Sequence, residues 1–269
     1  MSAQKRIALS AVILLLAWWV SGEIRHLNAY VSTNPARLGF EMMGIGVGLA
    51  ILAIGLAVAL PGPVSQRLGL EPSRLPGSAL FGLVIGTLGL SLAVDTALSL
   101  TRAMEGSVAV GISRGVQNAR QSDFDFLIAL LGSAIAPAIG EELLCRGVVQ
   151  RTIARALGPV AAIAGASLFF GWLHGELVHG SIAAVLGAYI GLAAYWSDST
   201  RPAIAAHAAN NVVALLGSTG LVWLSLSAVP AICLGLGLAL LGLAWAWRSR
   251  PRGDRARAVL QPGGNPADA

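Results

Sequence analysis

The sequence predicts an all-α fold, a polytopic membrane helical bundle of about eight transmembrane helices, and three observations lead there. Of 269 residues, 55% are hydrophobic and only 12% are charged, where a soluble domain carries about 25% charge. Apolar runs of about 17 residues or more recur along the chain, each long enough to cross a ~30 Å hydrocarbon layer. The runs are separated by helix-breaking clusters such as Pro61-Gly62-Pro63, Pro76-Gly77 and Gly158-Pro159.

Taken in order, the expected membrane segments are 7–22, 40–61, 77–98, 126–156, 159–175, 180–196, 202–218 and 220–247. The first has Lys5 and Arg6 before an apolar core, as a signal peptide would, but no small-x-small cleavage site, so it reads as an uncleaved helix. The segments between 159 and 218 are short and their turns carry few polar residues, so their limits are the least sharply drawn. Asp123 and Asp125 fit the N-terminus of the fourth segment, where negative charge suits the helix dipole. Residues 1–247 read as one transmembrane domain without internal repeats, and 248–269, rich in Arg, Pro, Gly and Asp, as a disordered basic cytoplasmic tail.

The net charge of +5 comes from basic residues spread over loops and the tail. That pattern suits cytoplasmic loops facing anionic lipid rather than nucleic acid. With the N-terminus inside, thirteen of the 18 Lys and Arg fall on the cytoplasmic side, among them Arg67, Arg74, Arg151, Arg155 and Arg201. Both termini are therefore expected in the cytoplasm. The two cysteines, Cys145 and Cys233, lie in apolar segments and imply no disulfide framework.

Polar residues inside the apolar segments are costly, about 2.5–3.5 kcal/mol for each ionisable group on insertion scales, and so mark candidate sites. Glu141 and Glu142 are adjacent, and Arg146 follows four residues after Glu142. On a helix Glu142 and Arg146 share a face and can pair, while Glu141 lies about 100° away and points elsewhere. This leaves one carboxylate free for chemistry; the bland alternative is an arginine that locks helices together through two carboxylates. His174, after Phe170 on an apolar helix, reads when taken alone as a bonded packing residue more readily than as a catalyst. His207 and Asn211 are four apart among small residues, either a hydrogen-bonding glue between helices or a catalytic pair. A carboxylate, two imidazoles and an amide on three membrane helices can converge only in the bundle interior. Together they cover the needs of a hydrolase: a base for water, a group to orient it and donors to an oxyanion.

Glu141-Glu142-x-x-x-Arg146, Phe170-x-x-x-His174 and His207-x-x-x-Asn211 resemble, in order, the three signature motifs of the CAAX-protease and bacteriocin-processing family (CPBP, or ABI), which contains the type II CAAX prenyl endopeptidases. The resemblance implies an intramembrane endopeptidase in which Glu141 activates water, His174 helps to hold it, and His207 and Asn211 form the oxyanion site. Glu142 and Arg146 would be supporting residues and Phe170 would line the cavity. The glutamate-dependent reading needs no cofactor; in a zinc-dependent variant, Glu141, His174 and His207 would be the ligands around an open position. The substrate implied is a peptide or protein with a hydrophobic or C-terminal membrane segment, met in the lipid bilayer. The Ala, Gly and Arg richness points to a bacterial inner membrane, where prenylated proteins are not expected.

Other readings are weaker. His174-Gly-Glu176-Leu-Val-His179 has the wrong spacing for a zinc H-E-x-x-H helix, and Glu176 and His179 are expected to cap a short turn. Gly165-Ala-Ser167 lacks a serine-protease context, and Asp95 lacks a partner aspartate. Cys145 reads as a packing residue. A transporter would show inverted repeats, which are absent; a non-catalytic immunity protein on the same fold is the other competitor. One geometric conflict remains: measured from the cytoplasmic ends of their helices, His174 lies ~22 Å deep and His207 ~8 Å, at 1.5 Å per residue.

Overall fold

The computed structural model describes residues 35–59, 62–101, 105, 107–220 and 226–250. The expected first segment, 7–22, and residues 251–269 of the expected tail lie outside them. The described residues form helices and no strands. In chain order these are α1 (Pro35–Val58), a single turn (Val64–Arg67), α2 (Gly77–Ser99), α3 (Val108–Ala119), α4 (Asp123–Leu157), α5 (Pro159–Leu173), α6 (Leu177–Ser197), α7 (Arg201–Ser218) and α8 (Ala228–Arg248). Five are long and apolar enough to cross a membrane: α2, α4, α6, α8 and, from Arg37, α1. α5 is a shorter apolar helix, and α7 dilutes its apolar residues with His207, Asn210 and Asn211. The protein is thus an all-helical integral membrane protein.

Glycines set the helix crossings. In a bilayer no water is squeezed out between helices, so small residues that let backbones touch supply the packing. A Cβ on Gly140 of α4 would lie 2.0 Å from the Gly46 carbonyl oxygen of α1, and one on Gly132 would overlap the Gly39 carbonyl. The partners run in parallel, yet Gly39 and Gly46 are seven positions apart and Gly132 and Gly140 eight. The extra residue is taken up by a π-helical stretch, Leu131–Ile135, within α4, the usual way a helix absorbs an insertion. α2 and α8 meet antiparallel through Gly82 against Gly242 and Gly89 against Gly235. Ser122 caps α4, its hydroxyl accepting from the Asp125 amide at 3.3 Å, with Asp123 and Asp125 in the first turn as expected.

The helix α3 was not foreseen, because its 12 residues are too few and too polar for a crossing. It is amphipathic: Val116 and Ala119 are buried and Ile112 packs beside them, against Leu38, Met42, Ala129 and Leu215. At the end of the bundle where α4 and α6 finish, Asp198 binds Arg74 at 2.6 Å and Arg151 at 3.2 Å. Thr200 donates to the Leu68 carbonyl at 2.7 Å. Arg67, Arg74, Arg151 and Arg201 therefore belong to one end, the grouping expected from the charge distribution. At the other end Arg120 donates to the Thr219 carbonyl.

The crossings predict a contrast within α1 and α4. Gly140→Ala should destabilise the protein by about 1–3 kcal/mol through overpacking, read as a lowered melting temperature in detergent. Gly44→Ala, whose Cβ would meet nothing within 4 Å, should stay within about 0.5 kcal/mol of the parent.

Candidate active site

A second π-helical stretch, Leu143–Gln150, occupies the middle of α4, directly after Glu141 and Glu142. The bundle interior here holds four groups that carry or can carry charge. Glu142 is 0%, Arg146 1%, His207 6% and Glu141 8% exposed. Such burial is tolerable only with partners, and these groups supply most of them to one another. Arg146 Nε lies 3.1 Å from Glu142 Oε2, an ion pair across one helical turn, as expected from the spacing. His207 of α7 places Nδ1 2.9 Å from Glu142 Oε1 and Nε2 3.8 Å from Glu141 Oε2.

Both carboxylates converge on one imidazole, Glu141 included, although it does not share the Arg146 face. The 100° step between neighbouring helical residues is bridged because the ring of His207 presents its two nitrogens to different residues. Glu142 therefore has two partners, Arg146 and His207, rather than the arginine alone.

Arg146 also donates from Nη2 to the Gly187 carbonyl of α6 at 2.7 Å. One turn on, Gln150 donates from Nε2 to the Gly191 carbonyl at 2.9 Å. Glycine opposite these two rungs leaves them room: a Cβ on Gly187 would be 3.1 Å from Arg146 Nη2, and one on Gly191 3.0 Å from Gln150 Oε1. Gln150 escaped the sequence reading, although it continues the face of Glu142 and Arg146 at the same four-residue spacing. Phe170 of α5 is the aromatic hub. The Arg146 guanidinium lies 4.8 Å from its ring centre, and the rings of His174 and His207 approach it edge-on at 4.9 and 5.4 Å. His174 Nδ1 sits 2.8 Å from the Phe170 carbonyl; since a carbonyl only accepts, Nδ1 carries the proton and Nε2 a lone pair. Asn211, one turn beyond His207, directs Nδ2 to the Ala134 carbonyl at 3.5 Å. Its second N–H is not committed by that contact. Cys145 packs with Phe170, Leu173 and Ala183.

The two histidines reach the same Phe170 ring because α5 and α7 do not start at the same level. The turn between α6 and α7 is bound to Arg151, about six residues or ~9 Å before the end of α4, where α5 begins. Subtracting that stagger brings His174 from ~22 Å to ~13 Å, close to His207.

Residues 123–213 match the family described as Type II CAAX prenyl endopeptidase Rce1-like. The matched segment runs from the start of α4 into α7 and contains Glu141, Glu142, Arg146, Phe170, His174, His207 and Asn211. It is the family that the three motifs resemble. No curated protein and no solved structure matches the chain. The match thus covers the segment of this membrane protein that carries the buried polar cluster. Among its described residues, no three His, Cys, Asp or Glu side chains stand together as a metal-holding group. His207 spends Nδ1 on Glu142 and His174 spends Nδ1 on a carbonyl. Both commitments leave Nε2 of each ring open, and the steps proposed for the reaction pass through no metal.

Removing one member of a buried ion pair strands the other, which costs about 3–5 kcal/mol. Arg146→Met should therefore lower stability by that amount, measured by thermal unfolding in detergent. The double variant Arg146→Met with Glu142→Gln should recover a large part of the loss, since no unpaired charge remains.

Proposed function

We propose that this protein is an intramembrane endopeptidase that hydrolyses a peptide bond near a membrane-embedded or C-terminal segment by glutamate-activated water. The observation that carries the reading is the placement of His207 between Glu141 and Glu142, with Phe170 joining His174 to the same cluster. Glu142 is held by Arg146 and fixes the His207 ring through Nδ1–H. That leaves Glu141, the carboxylate without the arginine, as the base. Water gives a proton to Glu141 while its oxygen bonds to the scissile carbonyl carbon, with the His174 Nε2 lone pair accepting the second O–H. The carbonyl oxygen takes the negative charge and is met by His207 Nε2–H and Asn211 Nδ2–H. Collapse of the tetrahedral intermediate breaks the C–N bond, and Glu141 returns the proton to the departing amine.

The same four groups could relay protons in a transporter, but a relay has no use for an amide donor one turn from the imidazole. The Rce1-like match favours substrates of the CAAX type, and the proposed orientation places the arginine-rich end of the bundle in the cytoplasm. No cofactor is required.

The test uses the purified full chain in lipid nanodiscs and an internally quenched peptide ending in a farnesylated cysteine and three further residues, beside an unprenylated apolar peptide. Glu141→Gln should reduce kcat by about 10²–10⁴, the range for loss of a general base. His207→Ala and Asn211→Ala should each reduce kcat by about 10²–10³ with little change in KM, as expected for oxyanion donors. Cleavage unaffected by Glu141→Gln would refute the assignment of the base.

A further inference from the structure

His179 belongs to none of the three motifs, and the sequence places it in a turn. The structure puts it inside the first turn of α6, against the site. The route there is short. α5 ends at Leu173 with His174 as its C-cap, Gly175 reverses the chain with φ +69°, and α6 starts at Leu177. Gly171 and Gly180 then press the two backbones together: a Cβ on either would overlap the other's carbonyl oxygen. With the hairpin closed that tightly, positions 174 and 179 have no room to diverge. Their rings meet edge to face, with centres 4.6 Å apart and planes at 80°.

His174 is consequently held on two sides. Phe170 stands at 4.9 Å with planes at 75°, and His179 at 4.6 Å with planes at 80°. The Phe170 carbonyl fixes the remaining freedom through Nδ1. Nδ1 of His179, by contrast, is buried and has no hydrogen-bond partner. An unpaired buried nitrogen is a cost, so the side chain's contribution to His174 comes from the shape of its ring and not from a hydrogen bond.

We propose that His179 is a positioning residue for the hydrolytic reaction: its ring and Phe170 form a slot that locks the imidazole of His174 in the orientation that keeps Nε2 available to water. The inference rests on the endopeptidase reading above. A slot of this kind matters because a misplacement of about 1 Å can cost up to a hundredfold in rate.

The experiment compares His179→Ala and His179→Phe with the parent in the same nanodisc assay, with Glu141→Gln as the inactive reference. His179→Ala should lower kcat about tenfold or more with KM within about twofold, because substrate contacts are retained while His174 loses its wall. His179→Phe restores a ring without the unpaired nitrogen. It should keep kcat within about threefold of the parent and melt at an equal or higher temperature. Unchanged kcat in His179→Ala overturns the proposal, and so does a His179→Phe variant as slow as His179→Ala, which would assign the role to the nitrogen. A second readout does not depend on turnover. The ¹⁵N imidazole resonances of His174 should report a single Nδ1–H tautomer in the parent and in His179→Phe, and an exchanging ring in His179→Ala. An unaltered His174 signature in His179→Ala overturns the slot even if neither peptide is cleaved, whereas that lack of cleavage with the expected signatures would refute only the endopeptidase reading.

Discussion

Everything in the middle of this bundle depends on how two adjacent carboxylates are kept in an apolar interior. Neither Glu141 nor Glu142 has water as a general solvent, and the guanidinium of Arg146 is as buried as they are. Isolated, each would carry a desolvation penalty of several kcal/mol. The protein offsets this by making one imidazole the shared partner of both glutamates and one guanidinium the second partner of Glu142. Three helices are recruited as a consequence: α7 to bring the imidazole, α6 to accept from Arg146 at Gly187, and α5 to lay Phe170 against the cation and both histidine rings.

The backbone is shaped to permit this. Two π-helical stretches flank Glu141 and Glu142 in α4. The first keeps Gly132 and Gly140 in register with Gly39 and Gly46 of α1; the second carries Arg146 and Gln150 across to the α6 carbonyls. Glycine recurs opposite each polar reach, at 187 and 191, since a side chain there would occupy the space of the guanidinium or the amide. The small residues that allow helices to associate in lipid are thus also what admits a charged cluster between them.

Much of this was legible in the sequence, because hydropathy, the Pro and Gly breaks and the four-residue spacings are local signals. The expected segments at 77–98 and 126–156 end within a few residues of α2 and α4, and the Glu142–Arg146 pair follows from spacing alone. What was not legible is relational. The sharing of one imidazole by Glu141 and Glu142 depends on where α7 crosses α4, which no local spacing encodes. The depth conflict between His174 and His207 arose from assuming that consecutive helices end at a common level; α4 overshoots the α6–α7 turn, and α5 starts correspondingly farther out. The amphipathic α3 was missed because a 12-residue helix carries no crossing signal, and His179 because its neighbour is set by the Gly171–Gly180 contact.

The charge count of the cluster gives the proposed reaction its economy. Two carboxylates and one guanidinium leave a single negative charge, so one added proton makes the quartet neutral, the state a low-dielectric interior favours. That proton can reside on Glu141 or on His207 Nε2, which face each other at 3.8 Å. On Glu141 it leaves no base for water. On His207 it leaves an ionised Glu141 beside an imidazole that donates from both nitrogens, to Glu142 on one side and toward a substrate carbonyl on the other. The arrangement in which the base is ready is then the same one in which the oxyanion donor is ready. Arg146 pairs with Glu142, which holds the Nδ1 side of the ring in place, so in the proposed reaction a residue that touches no substrate still belongs to the machinery.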